Sequence, residues 1–157
     1  YGEEPYAWKI AGRIVSARAE KPITTTMQLA EIVASAVPPA ERRKAKNPAR
    51  RTFQAIRIAV NSELDALNEG LDAIFDCLAP GGRLCVITFH SLEDRLVKNK
   101  FRRWAQRCTC PPEQPVCTCG GVAKAKLITR KPIEAGAAEL EANRRSRSAK
   151  LRVLEKV

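Results

Sequence analysis

The sequence predicts an α/β fold, and three observations carry that expectation. Leu84 to Phe89 form a near-continuous apolar and β-branched run behind a Pro80-Gly81-Gly82 turn. That is the pattern of a strand covered on both faces, as in a parallel sheet. Upstream, Phe53, Ile56, Val60, Leu64, Leu67, Leu71, Ile74 and Leu78 recur at steps of three and four, which makes a clean helical face. Near the end, residues 126–130 and 149–154 read as two short strands spaced to pair antiparallel at one side of a sheet. His90, Ser91, Glu93, Asp94 and Arg95 crowd just past the carboxyl end of the first strand. Open α/β sheets put their ligand chemistry at such strand ends.

At 157 residues the chain is one domain's worth, long enough to bury a core, and its 45% hydrophobic content is ordinary for a globular protein. No run approaches the roughly 18 apolar residues of a membrane span, and no signal peptide opens the chain. The first residue is Tyr1 and the single methionine is Met27, so a fragment or a processed chain is expected. The net charge of +11 is uneven: +4 over residues 1–50, −3 over 51–95 and +10 over 96–157. Basic ends around an acidic middle point to a polyanion partner, RNA or DNA.

Taken in order, residues 6–18 predict an amphipathic helix with Tyr6, Ile10, Ile14 and Ala17 on one stripe, interrupted at Lys21-Pro22. Thr25 and Gln28 have the form of a capping box, and Leu29, Ile32, Val33 and Ala36 continue as a buried stripe until Pro38-Pro39. Residues 42–51 read as a basic loop with Arg42, Arg43, Lys44, Lys46, Arg50 and Arg51 and no acid. It is either a solvated linker or a phosphate-contacting loop. A helix over about 52–78 would be roughly 40 Å long, with Glu63, Asp65, Glu69, Asp72 and Asp76 on its far face. Beyond the strand, Ser91 and Asp94 fit an N-cap with an acid at its third position, which by itself would explain part of the polar burst. Leu92, Leu96, Phe101 and Trp104 supply that helix's inner face, while Lys98, Lys100, Arg102, Arg103 and Arg107 coat it with positive charge. Trp104 reads as core before it reads as a base-stacking platform.

Cys108, Cys110, Cys117 and Cys119 offer four thiolates that suit one structural zinc, against disulfides or free thiols as alternatives. Cys77 and Cys85 read as small core hydrophobes. Residues 134–143 form a polar connector, and Arg144, Arg145 and Arg147 make a last basic cluster. Neither a phosphate loop of the Gly-x₄-Gly-Lys type nor a Gly-x-Gly-x-x-Gly turn occurs, which argues against those nucleotide folds. His90 beside Ser91 is not a nucleophile–base pair, because adjacent residues cannot face each other across a reacting atom. A role for His90 in proton handling, or in holding an amino group, stays open.

Several stretches resemble one family. They are Tyr1-Gly2-Glu3-Glu4, residues 23–26 (Ile-Thr-Thr-Thr), residues 51–64 and Leu78-Ala79-Pro80-Gly81-Gly82-Arg83-Leu84, followed by Phe89-His90-Ser91-Leu92-Glu93-Asp94-Arg95, residues 127–132 and residues 147–152. Together they resemble the bacterial 16S ribosomal RNA cytosine-N4 methyltransferases, the RsmH or MraW family, in order over nearly the whole chain. The resemblance implies a partial Rossmann-like class I methyltransferase sheet with part of an inserted helical domain. It implies S-adenosylmethionine as cofactor, the small ribosomal subunit as partner, a cytoplasmic location and no membrane, with a homodimer left open.

Residues 1–48 would finish the helical insertion that helps hold RNA, and 49–157 would belong to the catalytic domain. His90, Ser91, Asp94 and Arg95 would line the catalytic pocket. RNA would meet Arg42, Arg43, Lys44, Lys46, Arg50, Arg51, Lys98, Arg102, Arg103, Arg145 and Arg147. The family's glycine-rich cofactor loop and ribose-binding acid do not occur here, so the expectation is the carboxyl-terminal half of the enzyme, inactive alone. The competing reading is a non-enzymatic, zinc-stapled RNA-binding module.

Overall fold

The computed structural model of this chain describes every residue except 45, 46, 109, 111–113, 117 and 119, and Lys44 by its backbone alone. The described residues fall into two compact units, Tyr1–Glu63 and Leu64–Val157.

The first unit is helical. Helices α1 (Ala7–Glu20) and α2 (Thr26–Ala36) share a core of Ile10, Val33, Ala36, Val37 and Ala49, with Tyr6, Ile14, Leu29 and Phe53 against it. The expected capping box is present. Thr25 Oγ1 accepts the Gln28 amide at 3.2 Å, and Gln28 Oε1 accepts the Thr25 amide at 3.2 Å. Pro38-Pro39 ends α2, but Pro39 then opens α3 (Pro39–Lys44), since a proline's missing N–H costs nothing at a first helical position. Arg42, Arg43 and Lys44 are therefore helical, not part of a loop.

The single helix expected over 52–78 is two helices, α4 (Arg50–Asn61) and α5 (Glu63–Cys77), broken at Ser62. Ser62 has φ 49° and ψ 39°, a left-handed conformation that ends an α-helix. The Glu63 carboxylate ties the corner together, accepting from Arg57 at 2.8 and 3.0 Å and from Asn61 Nδ2 at 3.2 Å. Periodicity missed the break because apolar spacing continues through the corner. Gly70 leaves α5 unbroken, as expected.

The second unit is a small sheet with two helices on one face. Strands β1 (Arg83–Thr88), β2 (Ala125–Leu127), β3 (Ile133–Glu134) and β4 (Lys150–Lys156) form it in the order β1-β4-β2, with β3 also on β4. Every pairing is antiparallel, so β4 runs between β1 and β2, and the two late strands pair as expected. Helices α5 and α6 (Ser91–Ala105) bury Leu71, Phe75, Val97 and Phe101 against Leu84, Ala125 and Leu154 of the sheet. Trp104 stacks on Phe75 with ring centroids 4.1 Å apart, so it packs within this cluster. The 134–143 connector supplies the short helix α7 (Ala137–Ala142), and Arg144–Ser148 form a 3₁₀ turn before β4.

The expectation that β1 is covered on both faces fails. Leu84 and Thr88 are buried, whereas Arg83, Cys85 and Ile87 face outward, with Ile87 59% exposed. Among the described residues β1 pairs only with β4, and the helices that cover the sheet lie on the Leu84 side. Cys85 is thus exposed, and so is Cys77 at the end of α5, against the reading of both as core residues.

A candidate active site at the end of strand β1

The corner between β1 and α6 is held by Glu93. Its Oε2 accepts the amides of Phe89 at 2.9 Å and His90 at 3.2 Å, so two backbone donors are fixed by one carboxylate. His90, not Ser91, is the N-cap of α6: its Nδ1 accepts the Glu93 amide at 3.3 Å, completing a reciprocal capping box. An imidazole nitrogen carrying a lone pair does here what a serine hydroxyl was expected to do. Acceptance at Nδ1 places the neutral ring's proton on Nε2. That Nε2 lies 3.2 Å from Glu93 Oε1, yet it is sealed from solvent and makes no well-aligned hydrogen bond. Proximity without alignment is a weak contact, so we regard Nε2 as unsatisfied.

One turn into α6, Asp94 meets Arg152 of β4 in a fork-to-fork pair, Nε to Oδ1 at 2.7 Å and Nη2 to Oδ2 at 2.9 Å. The pair is close to buried, with side-chain exposures of 7% for Arg152 and 13% for Asp94. Hydrogen bonds from Arg152 hold the Asp94 carboxyl below the usual carboxylate range, burial opposes them, and the charges of Arg152, Lys150 and Lys98 add to the lowering. Asp94 therefore stays anionic and anchors α6 to the sheet. Thr88, buried at the end of β1, points its hydroxyl toward the Lys150 carbonyl at 3.4 Å. Phe89 is 57% exposed at the strand end, and Ser91 and Arg95 are exposed on the first turns of α6.

The structure thus brings His90, Ser91, Asp94 and Arg95 to one strand-to-helix corner. It adds three residues to the four expected to line the pocket. Glu93 was signalled by its place three residues after a cap, and Phe89 by its position at the strand end. Arg152 carries no local signal, since its partner is 58 residues away.

The proposed RNA-facing cations are spread over separate elements. Arg42 and Arg43 are exposed on α3, and Arg50 and Arg51 are exposed on α4. Lys98, Arg102 and Arg103 lie on α6, and Arg145 and Arg147 on the 3₁₀ turn. Lys46 lies outside the described residues. So do Cys117 and Cys119, two of the four cysteines proposed as zinc ligands; Cys108 is exposed and Cys110 half-buried. No helix among the described residues is long and apolar enough to cross a membrane.

Helices on one face of a small antiparallel sheet, with a polar corner past a strand's carboxyl end, are consistent with an α/β methyltransferase fold. The model of the MraW methylase family matches residues 1–157, so the chain belongs to that family. Among curated proteins it is 59% identical over all 157 residues to the ribosomal RNA small subunit methyltransferase H of Symbiobacterium thermophilum, covering 49% of that protein. It is 57% identical, again over its full length, to the protein of the same name from Citrifermentans bemidjiense, covering 50% of it. The chain spans about half the length of the curated relatives it matches.

A methyltransferase requires a methyl donor, and the glycine turn of this chain does not fit one. Gly82 donates to the Ala79 carbonyl at 2.9 Å, and a Cβ placed on it would meet that same oxygen at 2.8 Å. Gly81 donates to the Lys156 carbonyl at 2.8 Å, so both glycine amides of the turn are already paired with backbone carbonyls of the chain itself.

Proposed function

We infer that this chain is the acceptor-handling part of an enzyme that methylates the N4 amine of a cytidine in 16S ribosomal RNA. The observation that carries the reading is the Phe89-to-Arg95 corner, in a chain that the methylase family covers end to end. S-adenosylmethionine is the proposed methyl donor. Its main contacts belong to the rest of the enzyme, upstream of this chain, and the isolated chain is inactive. The partner is the small ribosomal subunit, and the reaction is cytoplasmic.

The chemistry asked of these residues is orientation and proton acceptance. A cytosine amine is a poor nucleophile because its lone pair is delocalised into the ring, so it must be held in line and its departing N–H proton accepted. With Nδ1 committed to the α6 cap, the donor left on His90 is Nε2–H, sealed beside Glu93 in this chain, and the proposal requires the corner to open it to the base's acceptor edge. Ser91 and the remaining lone pairs of Asp94 are the acceptors at the corner. Phe89, more than half exposed, offers a ring face for the base. Arg95 is proposed to clamp a phosphate. The helical first unit is proposed as part of the insertion that holds RNA.

The zinc reading of the four cysteines stays a separate proposal about the Cys-rich segment, and metal analysis of protein purified without chelator tests it.

His90 tests the site, because its cap and its chemistry come apart on substitution. In the complete enzyme, His90→Ala removes both and is expected to cost about 1 kcal/mol of stability along with most of the methyl transfer. Asparagine is a good N-cap, so His90→Asn is expected to restore the melting temperature without restoring transfer, while RNA affinity stays near wild type. Wild-type transfer by His90→Asn would leave His90 a cap and nothing more.

A further inference from the structure

We propose that a groove along α6, away from the β1 corner, binds the phosphate backbone of the RNA strand through Arg103, Arg107 and Lys124. This rests on the methyltransferase reading and specifies how its substrate is held. Beyond Arg95 at the corner, the cations of α6 divide into two ridges by helical spacing, Lys98 and Arg102 on one and Lys100 and Arg103 on the other, and Arg107 follows two residues past the helix end. The first ridge is partly spent at the active corner, where Lys98 contributes to lowering the Asp94 pKa. The second lines a cleft of about 750 Å³, which Arg107 joins from beyond the helix end and Lys124 from the segment entering β2.

The cleft's charge is uncompensated. Its one lining acid among the described residues, Asp72, is paired with Lys100, which also holds the Asn68 carbonyl at 2.8 Å and lies 5.9 Å from the Trp104 ring centroid. Lys100 thus serves as a brace between α5 and α6. No carboxylate among the described residues pairs with Arg103, Arg107 or Lys124, and all three are exposed. A concave wall of unpaired cations focuses positive potential into a size range suited to a ligand. Asn99 and Gln106 add neutral polar groups to the lining. A polyanionic strand fits this chemistry better than a neutral small molecule, because three exposed cations line the groove and its one acid is already paired.

The test is binding of a labelled oligouridine to the complete enzyme across a salt series, with methyl transfer to small ribosomal subunits measured in parallel. Replacing Arg103, Arg107 and Lys124 together with glutamine is expected to weaken binding by about tenfold or more and to flatten the log–log salt slope by about 2, since each lost phosphate contact on a single strand removes about 0.7. The charge-keeping set Arg103→Lys, Arg107→Lys and Lys124→Arg is expected to retain the slope, which excludes misfolding as the cause. Matched neutralisation of Lys126, Arg130 and Lys131, which lie outside the groove, is expected to leave the slope within about 0.5 of wild type. Equal losses from the two neutralised sets, or no loss from the groove set in an enzyme that still methylates, overturns the groove. A wild-type enzyme that neither binds RNA nor transfers a methyl group overturns the functional reading beneath it.

Discussion

At the scale of single residues, the site depends on one buried charge pair. Removing Arg152 would leave the Asp94 carboxylate, only 13% exposed, without its hydrogen-bonded partner, and breaking a buried pair typically costs about 3–5 kcal/mol. Arg152→Met in the complete enzyme is expected to fall in that range by urea denaturation. The pair also sets a pH dependence. The folded Asp94 pKa lies below its unfolded value, so its contribution is full above about pH 4 and fades as pH falls through the lowered value. Urea midpoints of the wild type should decline below about pH 4, and that part of the decline should disappear in Arg152→Met; parallel profiles would show that the pair does not supply it. The sequence placed Asp94 in the site because it sits beside His90. Nothing in the sequence could place Arg152 there, because pairing between α6 and β4 is decided by the antiparallel register of Val86 with Arg152. The cap falls one residue before the expected Ser91 for a chemical reason: helix-start rules favour Ser, while here an imidazole lone pair accepts the Glu93 amide.

At the scale of elements, local signals were reliable where one physical cause dominates. The Thr25–Gln28 box, the stop at Pro38 and the helical face of α5 all followed from local chemistry. The Ser62 break did not, because a left-handed serine is a tertiary choice held by the Arg57–Glu63 corner. Non-glycine residues are strained in that conformation by about 1–2 kcal/mol. Ser62→Gly is therefore expected to stabilise the protein by up to about 1 kcal/mol and Ser62→Val to destabilise it, read by thermal melts. Destabilisation by glycine would mean that the serine side chain holds the corner. The β1 strand makes a second case. Its sequence reads as buried on both sides, yet Ile87 is 59% exposed. In the complete enzyme, we expect the missing half to cover that outer face. Ile87→Ser should then be near neutral in this chain alone and cost about 1.5–3 kcal/mol in the complete enzyme. Equal, small effects in both would mean that the face stays bare.

At the scale of the whole molecule, composition points to a polyanion partner, and the curated relatives carry the name ribosomal RNA small subunit methyltransferase H. The sheet is antiparallel, with β4 separating β1 from β2, and is consistent with an α/β methyltransferase fold. Its parallel part was anticipated from β1 alone, and no parallel pairing occurs among the described residues, which fits a chain about half the length of its relatives. The division of labour proposed here, with acceptor handling in this chain and donor binding outside it, is open to one direct experiment. Labelled S-adenosylmethionine and small ribosomal subunits lacking the modification would be incubated with the complete enzyme or with this chain alone, and the RNA nucleosides then separated by mass spectrometry. The account predicts N4-methylcytidine with the complete enzyme and no label with the chain alone. Label at another nucleoside with the complete enzyme, or methyl transfer by the chain alone, would contradict it.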